Sequence, residues 1–479
     1  MTHPADAPTE ATAVELVAGY AAGRLSPETV LEAVLAAMER LEPVLNAFVH
    51  VDAEGARKAA AASAARWRQG APIGRLDGVP VSVKDLAPVQ GWPSYRGSHS
   101  SGDGGRATAD APLVARLRAE GAVLIGKTAQ PELAWKGVTD SPRFGITRNP
   151  WDITRTPGGS SGGASAAIAA GLGALALGTD GSGSIRVPAA FCGIPGLKPT
   201  YGVVPMQPRA THLGDIVHAG PMARSVADVA LMMEVMAGPT PGDWTAAPAL
   251  PPAEIALKDL RIAYSPRLGF AEVAPDVARV VAEAVEALAG LGVSIEEADP
   301  GIDDPRAMID MIYAAGSAEV VFALPEAERA RMDPGLLAFA ATGRAISATD
   351  YVRVAMIERD ALGARMAEFH RRYDLLITPQ LGLTAFPATA DFPLGRGHTH
   401  WFDWAGLCYP FNLTQQPAMT LPCGLADDGL PVALQIVGPK YADRQVLAAA
   451  AAFEPLFGFA VLRQARVAAA LETALKTPA

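Results

Sequence analysis

The chain has 479 residues, half of them hydrophobic, which is enough apolar material for a large core and excludes a largely disordered protein. Its formal net charge of −10 argues against a nucleic-acid partner, because such proteins present a basic face. Its three cysteines, Cys192, Cys408 and Cys423, cannot all pair and lack metal-ligand spacing, so we expect a reducing compartment.

Targeting and membrane signals are absent from the sequence pattern. The first residues, MTHPADAPTEATAVELVAGY, lack the basic region and the apolar region of a secretory signal peptide. The longest uncharged run, residues 156–179, is dominated by Gly, Ala and Ser and is too weakly apolar for a membrane span. We therefore expect a cytoplasmic protein that has no membrane partner.

Helical and strand patterns alternate along the chain. The first clear helix is LSPETVLEAVLAAMERLEPVL, in which Ser26 is the expected N-cap and Pro27 takes the first helical position. Short apolar runs bounded by Gly, Pro or Asp predict buried strands. These runs are GVPVSVKD, GAVLIGKT, ALALGTD, LRIAYSP, YDLLITP and VALQIVG.

Two further patterns in the C-terminal half indicate the fold class. Between Ile262 and Ile295, a strand, an amphipathic helix and a second strand follow one another. Later, AMTLPC and VALQIVG flank Asp428 and Gly429, which form a typical hairpin turn. We therefore predict an α/β protein with a buried mixed sheet, and we interpret the Pro- and Gly-rich stretch at about 238–257 as a surface loop within one large domain.

The stretch GAVLIGKT matches the phosphate-loop pattern G-x-x-x-x-G-K-[ST]. That loop must be flexible enough for its N–H groups to surround a phosphate before a helix begins. Here the four variable positions are Ala, Val, Leu and Ile, which favour a strand, and Pro131 follows soon after. Nucleotide binding is therefore not expected.

The stretch GGSSGG fits the nucleophile pattern G-x-S-x-G of α/β-hydrolases in two registers. In those enzymes the base is a later histidine, for which His398 or His400 is available, with Asp374 or Asp391 as its partner. The preceding WDITRTP is a poor strand to carry a nucleophile, which weakens this Ser-His-Asp esterase alternative without removing it. A metal site at the two histidines and Asp403 has little support, because a clear third ligand is missing.

A third feature is GTDGSGSIRVP, which places two serines among glycines between Asp180 and Arg186. A serine hydroxyl becomes a good nucleophile only when a base takes its proton, and no histidine lies nearby in the sequence. Lys84, at the end of the run GVPVSVKD, is a candidate base on the face of its strand opposite to the valines. Either its ammonium reaches water, or burial lowers its pKa and leaves a neutral amine.

Taken in order, GVPVSVKD, PGGSSGGASAAIAAG and GTDGSGSIRVPAAFCGIPGLKPT closely resemble the motifs of the amidase signature family. LIGKTAQPE, FGITRNPWD, GPMARSVAD and PFNLTQQPAMTLPCG agree with the same family, so the resemblance spans almost the whole chain. It implies an α/β fold of a single large domain, residues 1–479, whose twisted mixed β-sheet core is covered by helices. Within it we expect an N-terminal helical segment at about 10–70, a catalytic core at about 71–238, and a C-terminal part, 258–479, that completes the sheet and the pocket.

The resemblance also implies the reaction and its residues. The family hydrolyses carboxylic amides without a cofactor or a metal, and some members accept aryl esters or carbamates. Carried over by motif, Ser184 is the nucleophile that forms the acyl-enzyme, Ser160 is the proton relay and Lys84 is the base. The family's bridging serine follows a cis peptide, which corresponds to Gly159–Ser160 in this chain.

Backbone N–H groups around Gly181, Ser182, Gly183 and Ser184 form the implied oxyanion hole. One position departs from the family's pattern, which usually has Gly where Ser182 stands. If the family glycine has a positive φ, Ser182 is strained. Alternatively, the hydroxyl of Ser182 adds a donor near the oxyanion.

Two alternatives to a free-standing amidase are compatible with the same scaffold. One is the glutamine-hydrolysing subunit of a tRNA-dependent amidotransferase. Such subunits typically have Gln where Val187 stands and a substrate-binding acid where Ala405 stands, although Asp403 lies close to that position. The other is a catalytically silent binding protein, against which the intact lysine and serines argue.

Two expectations concern the surroundings of the site. Asp180 and Arg186 carry opposite charges on either side of the nucleophile, so we predict that they pair and brace the loop. Trp135 occupies a position beside the acyl channel in similar fatty-acid amide hydrolases, so we expect an apolar pocket that Trp401 and Phe402 close. The expected partners are a small-molecule amide and water; the oligomeric state, monomer or homodimer, stays open.

Overall fold

The apolar runs of the sequence become the strands of a central sheet in the computed structural model, which describes residues 8–247, 250, 256–395 and 397–476. Within those residues, eleven strands form this sheet and two short strands, β4 and β5, form a separate hairpin. The strands are β1 Phe48–Val51, β2 Pro80–Lys84, β3 Val123–Thr128, β4 Asp140–Ser141, β5 Gly145–Ile146, β6 Leu175–Asp180, β7 Gly196–Lys198, β8 His218–Ala223, β9 Arg261–Tyr264, β10 Ser294–Glu297, β11 Leu375–Pro379, β12 Ala418–Leu425 and β13 Pro431–Val437.

The sheet is mixed, as predicted, in the order β1-β3-β2-β6-β8-β7-β12-β13-β11-β9-β10. Strands β3, β2 and β6 run parallel to one another, as do β11, β9 and β10. Between these two groups every neighbouring pair of strands is antiparallel. The pairs are β6 with β8, β8 with β7, β7 with β12, β12 with β13, and β13 with β11. Strands from every part of the chain therefore share one sheet, which makes the protein a single domain.

Helices cover both faces of this sheet. They are α1 Ala13–Ala21, α2 Pro27–Leu45, α3 Ala53–Arg68, α4 Pro112–Ala119, α5 Gly162–Ala169, α6 Arg186–Cys192, α7 Val226–Met236, α8 Pro275–Ala289, α9 Arg306–Phe322, α10 Glu326–Arg329, α11 Pro334–Gly343, α12 Ala348–Val352, α13 Arg359–Phe369, α14 Pro410–Leu413, α15 Asp443–Phe457 and α16 Phe459–Lys476. A π-helical segment, Arg353–Glu358, joins α12 to α13.

Local signals in the sequence explain several of these elements. The side chain of Ser26 caps α2 by accepting a hydrogen bond from the Thr29 N–H, and Pro27 begins the helix, as predicted. Strands β9 and β10 pair in parallel on either side of α8 in sequence, and the Asp428–Gly429 turn joins the antiparallel strands β12 and β13. GAVLIGKT forms the buried strand β3, which confirms that it is no phosphate loop.

Two buried helices lie on the sheet face that carries Lys84. Every residue of α5 and of α6 is buried, and their apolar side chains pack with Ala176 of β6 and Met222 of β8. Helix α5 approaches its neighbours closely because it is built from small residues: a Cβ on Gly163 would lie 2.5 Å from the backbone N of Ala129. Because α5 follows the first serine motif and α6 follows the second, this packing brings the two motifs together.

Two further expectations concern the loop at about 238–257 and the absence of a membrane span. Of the predicted loop at 238–257, residues 248, 249 and 251–255 lie outside the described residues. Among the residues that the structure describes, no single helix is long and apolar enough to cross a membrane, and α15 and α16 meet that criterion only as a pair bent by 63°. The apolar side of α15, including Val446 and Phe453, packs in the same core cluster as Met419 and Leu421 of β12.

Candidate active site

Lys84 ends strand β2 with its side chain completely buried. The alternation predicted from the sequence holds: Val81 and Val83 pack in the core on one face, and Lys84 points to the other. Its Nζ lies 2.7 Å from Ser160 Oγ, 2.9 Å from Ser161 Oγ and 3.0 Å from Thr179 Oγ1. The structure thus excludes the interpretation in which the ammonium of Lys84 reaches water.

Burial lowers the pKa of Lys84 to about 7, against the opposing effect of the Asp180 charge. A neutral amine has two N–H donors and one lone pair, so its three hydroxyl neighbours must take different roles. The Ser161 hydroxyl donates to the Thr179 carbonyl oxygen at 3.1 Å and therefore accepts from Lys84. With the second N–H donated to the Thr179 hydroxyl at 3.0 Å, the lone pair of Lys84 is left for the Ser160 hydroxyl.

The turn that carries Ser160 is held on both sides. The Gly159–Ser160 peptide is cis, as the resemblance implies. The Thr139 hydroxyl donates to the Gly158 carbonyl at 2.8 Å and accepts from the Gly162 N–H at 3.1 Å, so it spans the turn. A Cβ on Gly159 would lie 2.5 Å from the Val138 carbonyl oxygen, which explains why glycine precedes the serine.

Ser184 lies in the loop between β6 and α6, beside this turn. The Ser161 N–H donates to the Ser184 carbonyl oxygen at 3.1 Å, so the two serine segments are neighbours. Among the described residues the Ser184 hydroxyl has no hydrogen-bond partner, and the structure does not pair it with Ser160. Catalytic hydrogen bonds are often long in apo enzymes and shorten when substrate binds.

An ion pair braces the loop, as predicted. The Arg186 Nε lies 2.9 Å from an Asp180 carboxylate oxygen, and both side chains are fully buried. The Asp180 carboxylate also accepts from the N–H groups of Gly183 at 2.7 Å and Ile185 at 3.2 Å. Burial opposes ionisation of Asp180, but Arg186 outweighs it and holds the pKa of that carboxyl below its usual range.

This hydrogen bonding corrects the predicted oxyanion hole at one residue. The Gly183 N–H is already donated to Asp180, so it is not available to a substrate. The N–H groups of Gly181, Ser182 and Ser184 have no acceptor among the described residues. Gly183 instead supplies the backbone conformation, with φ 129°, that a side chain would strain. Ser182 is not at positive φ, so the strain expected for it is absent.

The chain as a whole matches known proteins with this architecture. Residues 29–447 match the family model described as amidase. The chain belongs to the amidase signature family. It is 37% identical over 459 residues to an acylamidase of Rhodococcus erythropolis, a match that covers 92% of this chain and 94% of that protein. It is therefore a hydrolase that acts on amides.

Two other matches of this amidase signature chain bear on its function. The glutamyl-tRNA(Gln) amidotransferase A subunit of Chloroflexus aurantiacus is 35% identical over 472 residues, covering 92% of this chain and 95% of that one. Among solved structures, a bacterial aryl acylamidase of the family superposes with a TM-score of 0.86 at 29% identity. That match covers 98% of this chain and 99% of the acylamidase.

The α/β-hydrolase alternative, with a Ser-His-Asp triad, is wrong for this member of the amidase signature family. Asp374 is paired with Arg261, and Asp391 with Lys136, so neither orients a histidine. His400 Nδ1 accepts from the Phe402 N–H and caps a short helical turn, Trp401–Trp404. Over the described residues, no cluster of His, Cys, Asp or Glu suited to a metal ion is present.

Trp135 lines a cavity of about 350 Å³ together with Phe339, His400 and Trp401. The ring centroids of Trp135 and Phe339 are 6.3 Å apart, and the ion-paired Lys136 and Asp391 also line the cavity. The prediction for Phe402 is wrong: this residue is fully buried behind Trp401, at a centroid distance of 3.8 Å, because its ring packs in the core.

Sequence reasoning missed several residues that contact the site. Ser161 was visible as the second serine of GGSSGG, and Thr179 as the residue before Asp180. Asn412, in the family segment PFNL, donates to the Asp180 carbonyl at 3.0 Å and to its carboxylate at 2.9 Å. Gln435 of β13 accepts from Arg186 at 2.7 Å, and no local signal in the sequence marks it.

Proposed function

We propose that this enzyme hydrolyses carboxylic amides through an acyl-enzyme on Ser184, with Ser160 as proton relay and Lys84 as general base. The observation that carries the proposal is the buried Lys84 Nζ at 2.7 Å from Ser160 Oγ, with the Lys84 pKa lowered to about 7. An amine with this pKa is substantially neutral near neutral pH, where it can accept a proton.

The proposed reaction runs in two halves. Ser184 Oγ attacks the amide carbon while its proton passes to Ser160, and the Ser160 proton passes to Lys84. Gly181, Ser182 and Ser184 N–H groups stabilise the oxyanion, each such donor being worth about 3 kcal/mol. The C–N bond then breaks as the leaving amine takes a proton back through Ser160. Water attacks the acyl-enzyme by the same relay and releases the carboxylic acid.

An aromatic pocket favours amides with a bulky apolar or aryl group. Trp135, Phe339 and Trp401 line the cavity of about 350 Å³. The segment that begins at Trp135 continues to Val138, whose backbone contacts Gly159 beside Ser160, so a wall residue of the cavity and the turn of the relay serine belong to neighbouring segments. Each methylene buried there adds about 0.8 kcal/mol to binding. The aryl acylamidase that this chain resembles agrees with such a substrate.

The alternative function, glutamine hydrolysis as an amidotransferase subunit, has less support from the position at which such subunits bind their substrate. Asp403, the acid nearest to that position, pairs with Arg306 and accepts the backbone N–H groups of Thr399 and His400 at 2.7 Å. Its charge is therefore already neutralised, and its oxygens hold the start of a helical turn. A carboxylate in this state is a poor receptor for the ammonium group of glutamine.

An alkyl fluorophosphonate tests the proposed nucleophile without knowledge of the substrate. Ser184 Oγ displaces fluoride from phosphorus and gains a stable mass label, so peptide mapping should place the label on Ser184. Ser184→Ala should abolish labelling and hydrolysis of an anilide, and Lys84→Ala should slow both by several orders of magnitude. Ser165→Ala is the matched control, because Ser165 is equally buried and its hydroxyl contacts Gly162 and Cys192 instead of the relay. A label on another residue would refute the assignment.

A further inference from the structure

A pair of buried hydroxyl groups lies under the oxyanion loop. Ser182 Oγ and Tyr313 Oη are hydrogen-bonded at 3.0 Å, and Ser182 is fully buried. Tyr313 belongs to α9, which is far from the loop in sequence but packs beneath it. Because its neighbours Gly181 and Gly183 have no side chains, Ser182 provides the side-chain link from this part of the loop to α9.

Tyr313 also contacts the preceding residue of the loop. A Cβ built on Gly181 would lie 2.2 Å from the Tyr313 hydroxyl oxygen, so the phenol rests directly against the Gly181 backbone. Gly181 and Ser182 are two of the three residues whose N–H groups have no acceptor among the described residues. One tyrosine therefore contacts both residues that carry these two N–H groups.

The phenol itself is held rigidly. Its ring packs edge-on against Phe402, with centroids 5.2 Å apart, and against Trp401, with centroids 6.0 Å apart. Burial raises the pKa of Tyr313, so its hydroxyl stays protonated in the range in which the enzyme would work. A rigid, neutral hydroxyl is suited to fix the side chain of Ser182 in one orientation.

We propose that Tyr313 is a positioning residue for amide hydrolysis, which acts through the Ser182 hydroxyl to hold the N–H groups of Gly181 and Ser182 toward the developing oxyanion. This inference rests on the proposed function, in which those groups stabilise the tetrahedral intermediate. Oxyanion donors contribute only when they are placed in advance, and a misplaced donor loses most of its effect. The bond therefore acts on kcat and leaves substrate binding almost unchanged.

A double-mutant cycle tests the pair. Ser182→Ala removes only the hydroxyl and fits the backbone without strain, and Tyr313→Phe removes only the phenol oxygen. Each should lower kcat by about tenfold at nearly unchanged KM, and the double variant should lose no more than either single one, because the two groups act as a unit. The fold-change should be the same for acetamide and for an anilide, since every amide forms the oxyanion.

Tyr20→Phe provides the matched control. Tyr20 is equally buried, donates its hydroxyl to the Gly78 carbonyl at 3.2 Å, and belongs to a different core cluster. It should keep the wild-type kcat. If Tyr313→Phe does not fold, Ser182→Ala and Ser182→Gly test the same bond from the loop side. Single-variant losses that multiply in the double variant, or a wild-type kcat in all variants, would overturn the assignment.

The rate of fluorophosphonate labelling separates this inference from the proposed function. The phosphonyl oxygen occupies the oxyanion position, so labelling of Ser184 should slow in Ser182→Ala and Tyr313→Phe by the same factor as kcat. If the wild-type enzyme is not labelled at Ser184, the proposed function fails. If Ser184 is labelled equally fast in the wild type and in both variants, only the role of Tyr313 fails.

Discussion

Replacing Lys84 by methionine should abolish hydrolysis and yet make the protein more stable at neutral pH. Methionine keeps a long apolar side chain at the same buried position and removes the amine. In the wild type, burial lowers the pKa of Lys84 from its ordinary 10.5 to about 7. At pH values between these two pKa values, the unfolded chain binds a proton that the folded chain does not. The free energy of unfolding therefore decreases as pH falls through this window.

The magnitude follows from the size of this pKa change. Lowering the pKa of a lysine from 10.5 to about 7 costs about 5 kcal/mol of folding free energy at pH values below 7. Methionine removes this cost but also removes the hydrogen bonds of Lys84 to Ser160, Ser161 and Thr179, at about 1 kcal/mol each. The variant should therefore gain a few kcal/mol near pH 6 to 7, and the gain should shrink by about 1.4 kcal/mol per pH unit above that.

Equilibrium urea unfolding measures this gain at a series of pH values between about 6 and 10. Ser184→Ala is the control, because it is equally inactive but keeps Lys84, so its stability should follow the wild-type pH dependence. The free energy of unfolding of the wild type should rise toward that of Lys84→Met as pH increases. Parallel curves for the wild type and Lys84→Met would refute the claim that Lys84 is neutral in the folded protein.

Three further outcomes are expected. In the wild type, kcat/KM should rise with pH through about 7 as Lys84 becomes neutral, and a flat profile from about pH 5 to 9 would contradict a lysine base. Arg186→Met should cost about 3–5 kcal/mol in urea unfolding, because it leaves the Asp180 carboxylate buried and unpaired, whereas Arg57→Met at the exposed pair with Glu32 should have little effect. Trp135→Ala should raise KM for an anilide and leave acetamide unchanged; equal losses in steady-state assays would mean that Trp135 only supports the fold.

Local sequence patterns predicted many of the strands, but they missed β1, β7 and the buried β8, and they gave no pairing between strands distant in the sequence. Apolar runs bounded by Gly, Pro or Asp predicted β2 and β6, because buried strands must be short and apolar. That these two strands are parallel neighbours, with Val83 opposite Leu177, depends on contacts across most of the catalytic core. Periodicity carries no information on such pairing, so the meeting of Lys84 with Thr179 was not predictable from it.

The catalytic site shows the same limit: local sequence patterns do not show which of its residues contact one another. Lys84 and Ser160 are separated by 76 residues, and only the family resemblance linked them before the structure placed them 2.7 Å apart. Asn412 and Tyr313 come from elements still further along the chain, and each contacts the loop through side-chain atoms that no local motif specifies. The use of the Gly183 N–H by Asp180 was equally invisible, because it depends on the curvature of the loop.

The two buried charges of the site explain why Lys84 can be neutral. Asp180 is close enough to raise the pKa of Lys84, and an unpaired carboxylate there would favour the ammonium form. Arg186 pairs with that carboxylate, and Asn412 and Gln435 complete the hydrogen bonding of the pair, so most of the Asp180 charge is compensated. The Asp180–Arg186 ion pair, which braces the nucleophile loop, thereby also helps to keep Lys84 neutral. It follows that Arg186→Met, besides destabilising the fold, should move the rising limb of the kcat/KM profile to higher pH.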